Sequence, residues 1–418
     1  RALQLQSNVD IQVSGLVAQV LVEQTFKNNS DRWVEGVYVF PLPDNAAVNH
    51  MQMVIGERVI VGEIKEKQEA RKIYQQARAQ GKKASLVEQQ RPNIFTNRVA
   101  NIGPGETVVI SLRYVQQVSY QDAQFSLRFP MTITPRYIPG QALIEQEQAE
   151  LSVDPGLGWA VDTDQVHDAS QITPLQDPHR APNVTVNARI DMGLPLAQVE
   201  SLFHDMQLSR SGHQYELQLT QSQVPMNSDL VLQWRAQPGK EPRAAFFQET
   251  VDEQRYGLLM VIPPESTAAV GVSRELIFVI DTSGSMGGTS IVQARASLQF
   301  ALGQLSAQDR FNIVEFNSSA RALFPTALAA TSHNLARASE FVRHLDAGGG
   351  TEMMQALQMA LSSDGDEERD SEMLRQVVFI TDGAVGNELA LFQEIQSSLG
   401  RSRLFTVGIG SAPNSWFM

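Results

Sequence analysis

Residues 276–288 read LIFVIDTSGSMGG. Leu276 to Ile280 is a short apolar run, partly β-branched, that stops at Asp281, after which Ser283 and Ser285 alternate with Gly284 and lead into Met286, Gly287 and Gly288. The pattern predicts a buried parallel strand ending in a tight loop that opens a helix. Asp281, Ser283 and Ser285 would then converge at the carboxyl end of a sheet, where open α/β sheets bind ligands. Alone the stretch is ambiguous. A DxSxS pattern occurs by chance in loops, so a metal site, a protease-like aspartate and a plain loop all stay open.

From about Gly257 the chain alternates strands and helices. An amphipathic helix (Ile291, Ala294, Leu298, Ala301, Leu302, Leu305) is followed by a strand from Phe311 to Phe316. Helical patterns follow from Leu335 to Leu345 and from Met353 to Leu361, then a strand at Val377 to Ile380, a helix at Leu389 to Leu399 and a strand at Leu404 to Val407. Repeated βα units predict a mainly parallel sheet with helices on both faces. Two more loops would lie at the same end as Asp281: Gly348-Gly349-Gly350-Thr351 and Ile380-Thr381-Asp382-Gly383. All the donors are oxygens, which suits Mg²⁺, Mn²⁺ or Ca²⁺ and disfavours soft metals. Mg²⁺ keeps waters in an octahedral shell, so three hydroxyls and two carboxylates acting partly through water are adequate for it. If hydroxyls bind directly, the ion retains positive charge and an open position that a partner's Asp or Glu could fill.

Bulk properties narrow the function. The 418 residues point to about three domains. With 42% hydrophobic and 19% charged residues the composition is that of a globular protein, and the net charge of −13 leaves no basic surplus for nucleic acid. That acidity reads as solubility rather than as an acidic binding face. There is no cysteine, which removes thiol catalysis, zinc–cysteine sites and disulfides. No apolar run is long enough to span a bilayer. Arg1 is not an initiator, so any export signal is expected to have been removed, and the residues from Ser411 to Met418 read as a helix cut short.

The first 118 residues or so are mostly strands, such as Trp33 to Phe40 (WVEGVYVF), broken by Pro41-Leu42-Pro43-Asp44-Asn45. One helix is predicted from Glu66 to Gln80, with Ala70, Ile73, Tyr74 and Ala77 on its apolar face and Gly81 as its stop. Its polar side (Lys67, Glu69, Arg71, Lys72, Arg78) reads as a solvated face rather than a basic contact strip. Pro104-Gly105 is a turn launching Thr107 to Tyr114. The words EGVYVFPLPDNAAV, IGERVIVGEIKEKQEARKIYQQARAQGKKASLVEQQRPNIFTNRVANIGPGE and SLRYVQQ resemble a VIT domain, the module of vault proteins and inter-α-trypsin inhibitor heavy chains. That resemblance covers nearly all of residues 3 to 120 and implies a β-sandwich carrying one helix, with no catalytic residues. Between about 119 and 270, strands at Phe125 to Met131, Val184 to Ile190, Tyr215 to Leu219 and Leu230 to Trp234 alternate with Pro-rich joints (Thr173-Pro174, Asp177-Pro178, Ala181-Pro182). They predict a second antiparallel β unit, with Arg136-Tyr137-Ile138-Pro139-Gly140 as a turn. His167, His179, His204 and His213 lack ligand spacing.

The three loops of the last third resemble the metal-ion-dependent adhesion site of a von Willebrand factor A (vWA) domain: DxSxS, a Thr on a Gly-containing loop, and the Asp of TDG. Carried over, Asp281, Ser283 and Ser285 match the first element, Thr351 the second and Asp382 the third. The resemblance implies direct binding by the hydroxyls and aspartates acting largely through water. The final strand and helix of the family are not found after Phe417, so helix-shift switching of the integrin kind is not expected. The expected division is therefore 1–120 VIT, 121–270 antiparallel β linker and 271–418 an α/β, Rossmann-like vWA domain that is incomplete at its C-terminus. VIT followed by vWA is similar to inter-α-trypsin inhibitor heavy chains and especially to bacterial, proteobacterial sortase-target surface proteins. This implies a non-enzymatic adhesion protein, secreted or at the cell surface, whose divalent cation takes an acidic group of a protein or matrix-like partner. An alternative is an assembly module in which the metal only stiffens loops. Enzyme readings fare worse. There is no second DTG, no GxSxG, no P-loop and no dinucleotide fingerprint, and a metal-dependent hydrolase would lack a placed general base.

Overall fold

The computed structural model describes residues 3–134, 136–143, 160–173, 182–237, 243–262, 272–362 and 373–418. The chain forms two compact units, Arg1–Thr132 with Leu175–Thr267, and Ile133–Pro174 with Ala268–Met418. The Asp177-Pro178 joint and His179 lie outside the described residues.

The first unit is built of strands with period-two burial. In Val17–Asn28 the residues Ala18, Val20, Val22, Gln24, Phe26 and Asn28 turn inward while their neighbours face outward. This strand lies between Leu3–Ser14 and Thr107–Gln117 in a nine-stranded sheet. On its other side Leu3–Ser14 pairs in parallel with Asn183–Asp191, placing Val9, Ile11 and Val13 beside Val186, Ala188 and Ile190. All six side chains are buried in one core cluster. The middle of the chain is therefore divided: Asn183–Asp191 and the strands paired with it extend the first sheet, while Ser119–Gln121, Gln124–Phe129, Leu196–Ser201 and Leu230–Ala236 form an antiparallel sheet of their own. Strand Gln124–Phe129 pairs with Leu230–Ala236 in a four-stranded sheet, where Phe125 stacks on Trp234 at 6.1 Å between ring centroids.

The helix Lys67–Ala79 is held at its start by the Glu66 carboxylate, which accepts from the Gln68 and Glu69 amides. It buries Tyr74 against Leu86 and Ala100, with Ala70 packed alongside. Ile73, expected on the buried face, is 49% exposed. The apolar stripe is narrower than the spacing implied, because the helix meets the small three-stranded sheet through Tyr74 and Ala70, which pack on Leu86, Ala84 and Ala100. Arg71 pairs with Glu88 and Arg78 with Glu35, so two of the basic residues have partners within the unit.

In the second unit Arg274–Asp281 runs parallel to Arg310–Phe316 on one side and to Leu374–Thr381 on the other, and Arg403–Gly408 extends the sheet beyond the latter. Every residue from Glu275 to Asp281 is buried, the signature of a central strand covered on both faces. Leu276, Phe278 and Ile280 pack with Ala294, Leu298 and Leu302 of the Thr289–Gly303 helix and with Ala338 and Val342 of Ser332–Arg343. Ile277 and Val279 face the opposite way, toward Met353, Ala356 and Leu357 of Met353–Leu361 and Leu391 of Glu388–Ser398.

Asp309 ties the lower end of this sheet together. It accepts from Arg274 Nη2 at 2.9 Å and from the Ser306 amide at 2.8 Å. Burial pushes its carboxyl pKa up, but the guanidinium and the Ser306 donors outweigh that and hold it at about 2, below the ordinary 3.8. A depressed folded-state pKa stabilises the fold above the unfolded value and loses that contribution as pH falls through the folded one. Asp309→Asn should therefore cost about 2 kcal/mol at pH 7 in urea melts, with the deficit shrinking between pH 4 and 2. A deficit independent of pH across that window would show that the Asp309 charge is not what matters.

The segment from Ile133 onward belongs to the second unit. Arg136–Gly140 does not form the expected turn: Tyr137 bridges in parallel to Val385. The short helix Ala169–Ile172 follows and buries Ala169 and Ile172.

Candidate metal centre

Three loops meet at the carboxyl end of the parallel strands. The first begins where Arg274–Asp281 ends. Asp281 is fully buried; its Oδ1 accepts from the Ser283 amide at 2.8 Å and its Oδ2 from Thr381 Oγ1 at 2.6 Å. The first bond curls the chain back over the aspartate, and a 3₁₀ turn, Gly284–Met286, then lifts Ser285 into the same space. Ser283 Oγ and Ser285 Oγ lie 3.1 Å apart. Ser283 is buried, whereas Ser285 and Gly284 are exposed, so the cluster faces solvent on one side.

The Gly-rich loop is latched to the first by main-chain bonds, Gly348 N to Thr282 O at 2.8 Å and Gly284 N to Gly349 O at 3.1 Å. Gly349 has φ +82, where a side chain is strained, and a Cβ there would sit 2.8 Å from Ser318 Oγ. Thr351 follows, 6% exposed, with the next amide, Glu352 N, bound to Asn317 O at 2.7 Å.

The third loop carries Asp382, which is 4% exposed. Its Oδ1 accepts from the Ala384 amide at 2.9 Å, and the nearby Ser285 hydroxyl favours its charged form. Thr381 Oγ1 accepts from Gly383 N at 2.9 Å while donating to Asp281, so this one hydroxyl joins the first and third loops. From below, Asn414 N binds Asp382 O at 2.9 Å, and Asn414 Nδ2 binds Gly383 O at 3.1 Å.

Of the five residues named from the sequence, Asp281, Ser283 and Ser285 are joined by hydrogen bonds, Asp382 is linked to Asp281 by charge and follows Thr381, which bonds to Asp281, and Thr351 stands on the loop latched against them. Thr381, Asn317, Ser318 and Asn414 carry supporting bonds that sequence reasoning did not assign. Thr381 sits inside the TDG word and could have been suspected. Asn414 could not, because nothing local marks it.

Burial, and next the charge of Asp382, push the Asp281 carboxyl up to about 6; burial likewise raises Asp382. Among the described residues neither carboxylate forms an ion pair with Arg, Lys or His. Two buried carboxylates facing each other without a cation repel and are poorly solvated. A bound divalent cation removes both penalties, and the three hydroxyls supply neutral oxygen donors, so the residues fit one. Among the described residues there is no cluster of three or more His, Cys, Asp or Glu, so any ion here has to rely on hydroxyls for the rest of its shell. His204 Nε2 lies 3.3 Å from Ser228 O, within the other compact unit.

A parallel sheet covered on both faces, with hydroxyls and two aspartates at its carboxyl end, defines a domain of the von Willebrand factor A type. Residues 274–416 match the von Willebrand factor type A domain, a family that commonly mediates protein binding, and residues 4–114 match the vault protein inter-alpha-trypsin (VIT) domain. The chain thus has a VIT plus vWA architecture, multidomain and rich in strands. It is 26% identical over 409 residues to protein mono-ADP-ribosyltransferase PARP4 of Mus musculus, a match covering 96% of this chain and 19% of that protein. It is 24% identical to a von Willebrand factor A domain-containing protein of Dictyostelium discoideum, covering 97% of this chain and 44% of the relative. The chain therefore spans less than half of the length of these two relatives, and the transferase activity in the first name is that protein's. Among solved structures, a von Willebrand factor type A protein from Catenulispora acidiphila aligns at TM-score 0.30 and 24% identity, covering 40% of this chain and 41% of that one.

Proposed function

We propose that the chain is a non-enzymatic binding protein whose vWA domain holds a divalent cation, Mg²⁺ first among them, and uses it to take an acidic group of a protein partner. One observation carries this reading: two buried, mutually repelling carboxylates, Asp281 and Asp382, stand beside three hydroxyl residues with Ser285 open to solvent. Ser283, Ser285 and Thr351 would ligate directly, and the aspartates would balance charge largely through water. When bound, the cation supplies a Lewis-acidic position toward solvent that a carboxylate can complete. Asp281 and Thr381 hold the first and third loops in register for this, and Asn414 keeps Asp382 at its height. Among the described residues no helix is long and apolar enough to cross a membrane. Placement outside the cell or on its surface, in a bacterial sortase-target setting, rests on the resemblance of the N-terminal words.

Immobilised chain should retain acidic proteins in Mg²⁺ and release them on chelation, and Asp382→Ala should retain none. Capture that is indifferent to both chelator and mutation would sink the reading and favour an assembly module with a merely structural ion. Metal-dependent turnover of an ester or phosphate probe, lost in Asp382→Ala, would instead make the site hydrolytic.

A further inference from the structure

The segment around Tyr137 lies far in sequence from the three loops, yet it is bonded to two of them. Tyr137 N donates to Ala384 O at 2.9 Å and Gly386 N donates to Tyr137 O at 3.0 Å, so one residue is paired on both sides with the loop that carries Asp382. The phenol donates to Glu352 Oε1 at 3.0 Å, immediately after Thr351. Its ring lies over the Gly-rich loop: a Cβ on Gly350 would sit 3.5 Å from Tyr137 Cε2. Close approach is possible because residue 386 is glycine; a Cβ there would sit 2.7 Å from Ile138 Cδ1 and 3.3 Å from Tyr137 O. The flanks are pinned as well. Thr134 Oγ1 donates to Ala412 O at 2.6 Å, Thr163 Oγ1 donates to Pro139 O at 2.7 Å, and buried Arg136 pairs with buried Glu388.

We propose that residues 136–139 are a strap that sets the spacing between the Thr351 loop and the Asp382 loop, with Tyr137 as the positioning residue for the divalent cation. The inference rests on the metal reading above. The Asp382 loop follows a strand of the sheet, and the Gly-rich loop is held by latches to neighbouring loops, so their separation has no other direct tie in the hydrogen bonds of the described residues. Tyr137 supplies one: its main chain is fixed to the first and its phenol to the second. Groups that orient metal ligands typically change affinity by about 10–100-fold when lost.

The test is calorimetric titration of Mn²⁺ into the full chain, with the metal-free melting temperature measured alongside. Tyr137→Phe keeps the ring over Gly350 and both main-chain bonds but removes the donor to Glu352. It should weaken Mn²⁺ affinity about tenfold while leaving the metal-free melt unchanged. In a Glu352→Ala background the same substitution should do nothing further, because its partner is already gone. Wild-type affinity in Tyr137→Phe, with binding abolished by Asp281→Ala, overturns the strap and leaves the metal reading intact. So does a lowered melt with unchanged affinity, or a loss that is undiminished in the Glu352→Ala background. If wild-type chain binds no Mn²⁺, both readings fall together.

Discussion

Asp281→Ala should abolish binding of Mg²⁺ or Mn²⁺ that the wild-type chain shows in calorimetry, and Asp281→Asn should weaken it by at least 100-fold, about 3 kcal/mol. The aspartate does two things that the substitutions separate. Its charge, with that of Asp382, would supply the electrostatic attraction for a cation at this buried position. Its two oxygens also hold Ser283 N and Thr381 Oγ1, and so shape the first and third loops. Asn keeps most of the shape and removes the charge. Without metal, the same Asn variant should be more stable than wild type by roughly 1–3 kcal/mol, because one of two facing buried charges is gone. Loss of metal affinity together with a gain in metal-free stability is a signature that a damaged fold does not give. Equal Mn²⁺ affinity in wild type and Asp281→Asn would remove the site as drawn.

The second large effect concerns Arg136 and Glu388, whose side chains are 3% and 1% exposed. Arg136→Ala takes the guanidinium from a buried carboxylate and from Val385 O, and should cost about 3 kcal/mol in urea melts. Asn414 Nδ2, at 3.2 Å from Glu388 Oε1, stays as a donor but brings no charge. Because the cost is mostly the charge left behind, Arg136→Met combined with Glu388→Gln should recover much of the loss. A double variant as unstable as Arg136→Ala would show that packing of the arginine stem, not the pair, holds the segment.

How far the site could be read beforehand differs residue by residue. Asp281, Ser283 and Ser285 alternate within one five-residue stretch, and that spacing dictates that they share one loop. Thr351 and Asp382 stand in short words with glycine at hand, each following a recognisable element. Tyr137 acts through bonds to residues 352, 384 and 386, Arg136 through 385 and 388, and Asn414 through 382, 383 and 388, and such distant contacts leave no period or word in the chain. Ile73 shows the converse: a helical spacing marks residues able to be buried, while the surface beneath decides which of them are.

The sequence by itself determined the alternation of strands and helices in the last third, the strand-rich first third with its one helix, and a set of oxygen donors without thiols or a histidine cluster. These are local properties, carried by residues within a few positions of one another, and side-chain periodicity exposes them. Only the tertiary structure decided that Asn183–Asp191 lies parallel beside Leu3–Ser14, and that Ile133–Pro174 belongs to the second compact unit. The reason is physical. An apolar strand face pairs equally well with many others, and the choice among them is made by the summed burial of the whole core, which no local stretch encodes.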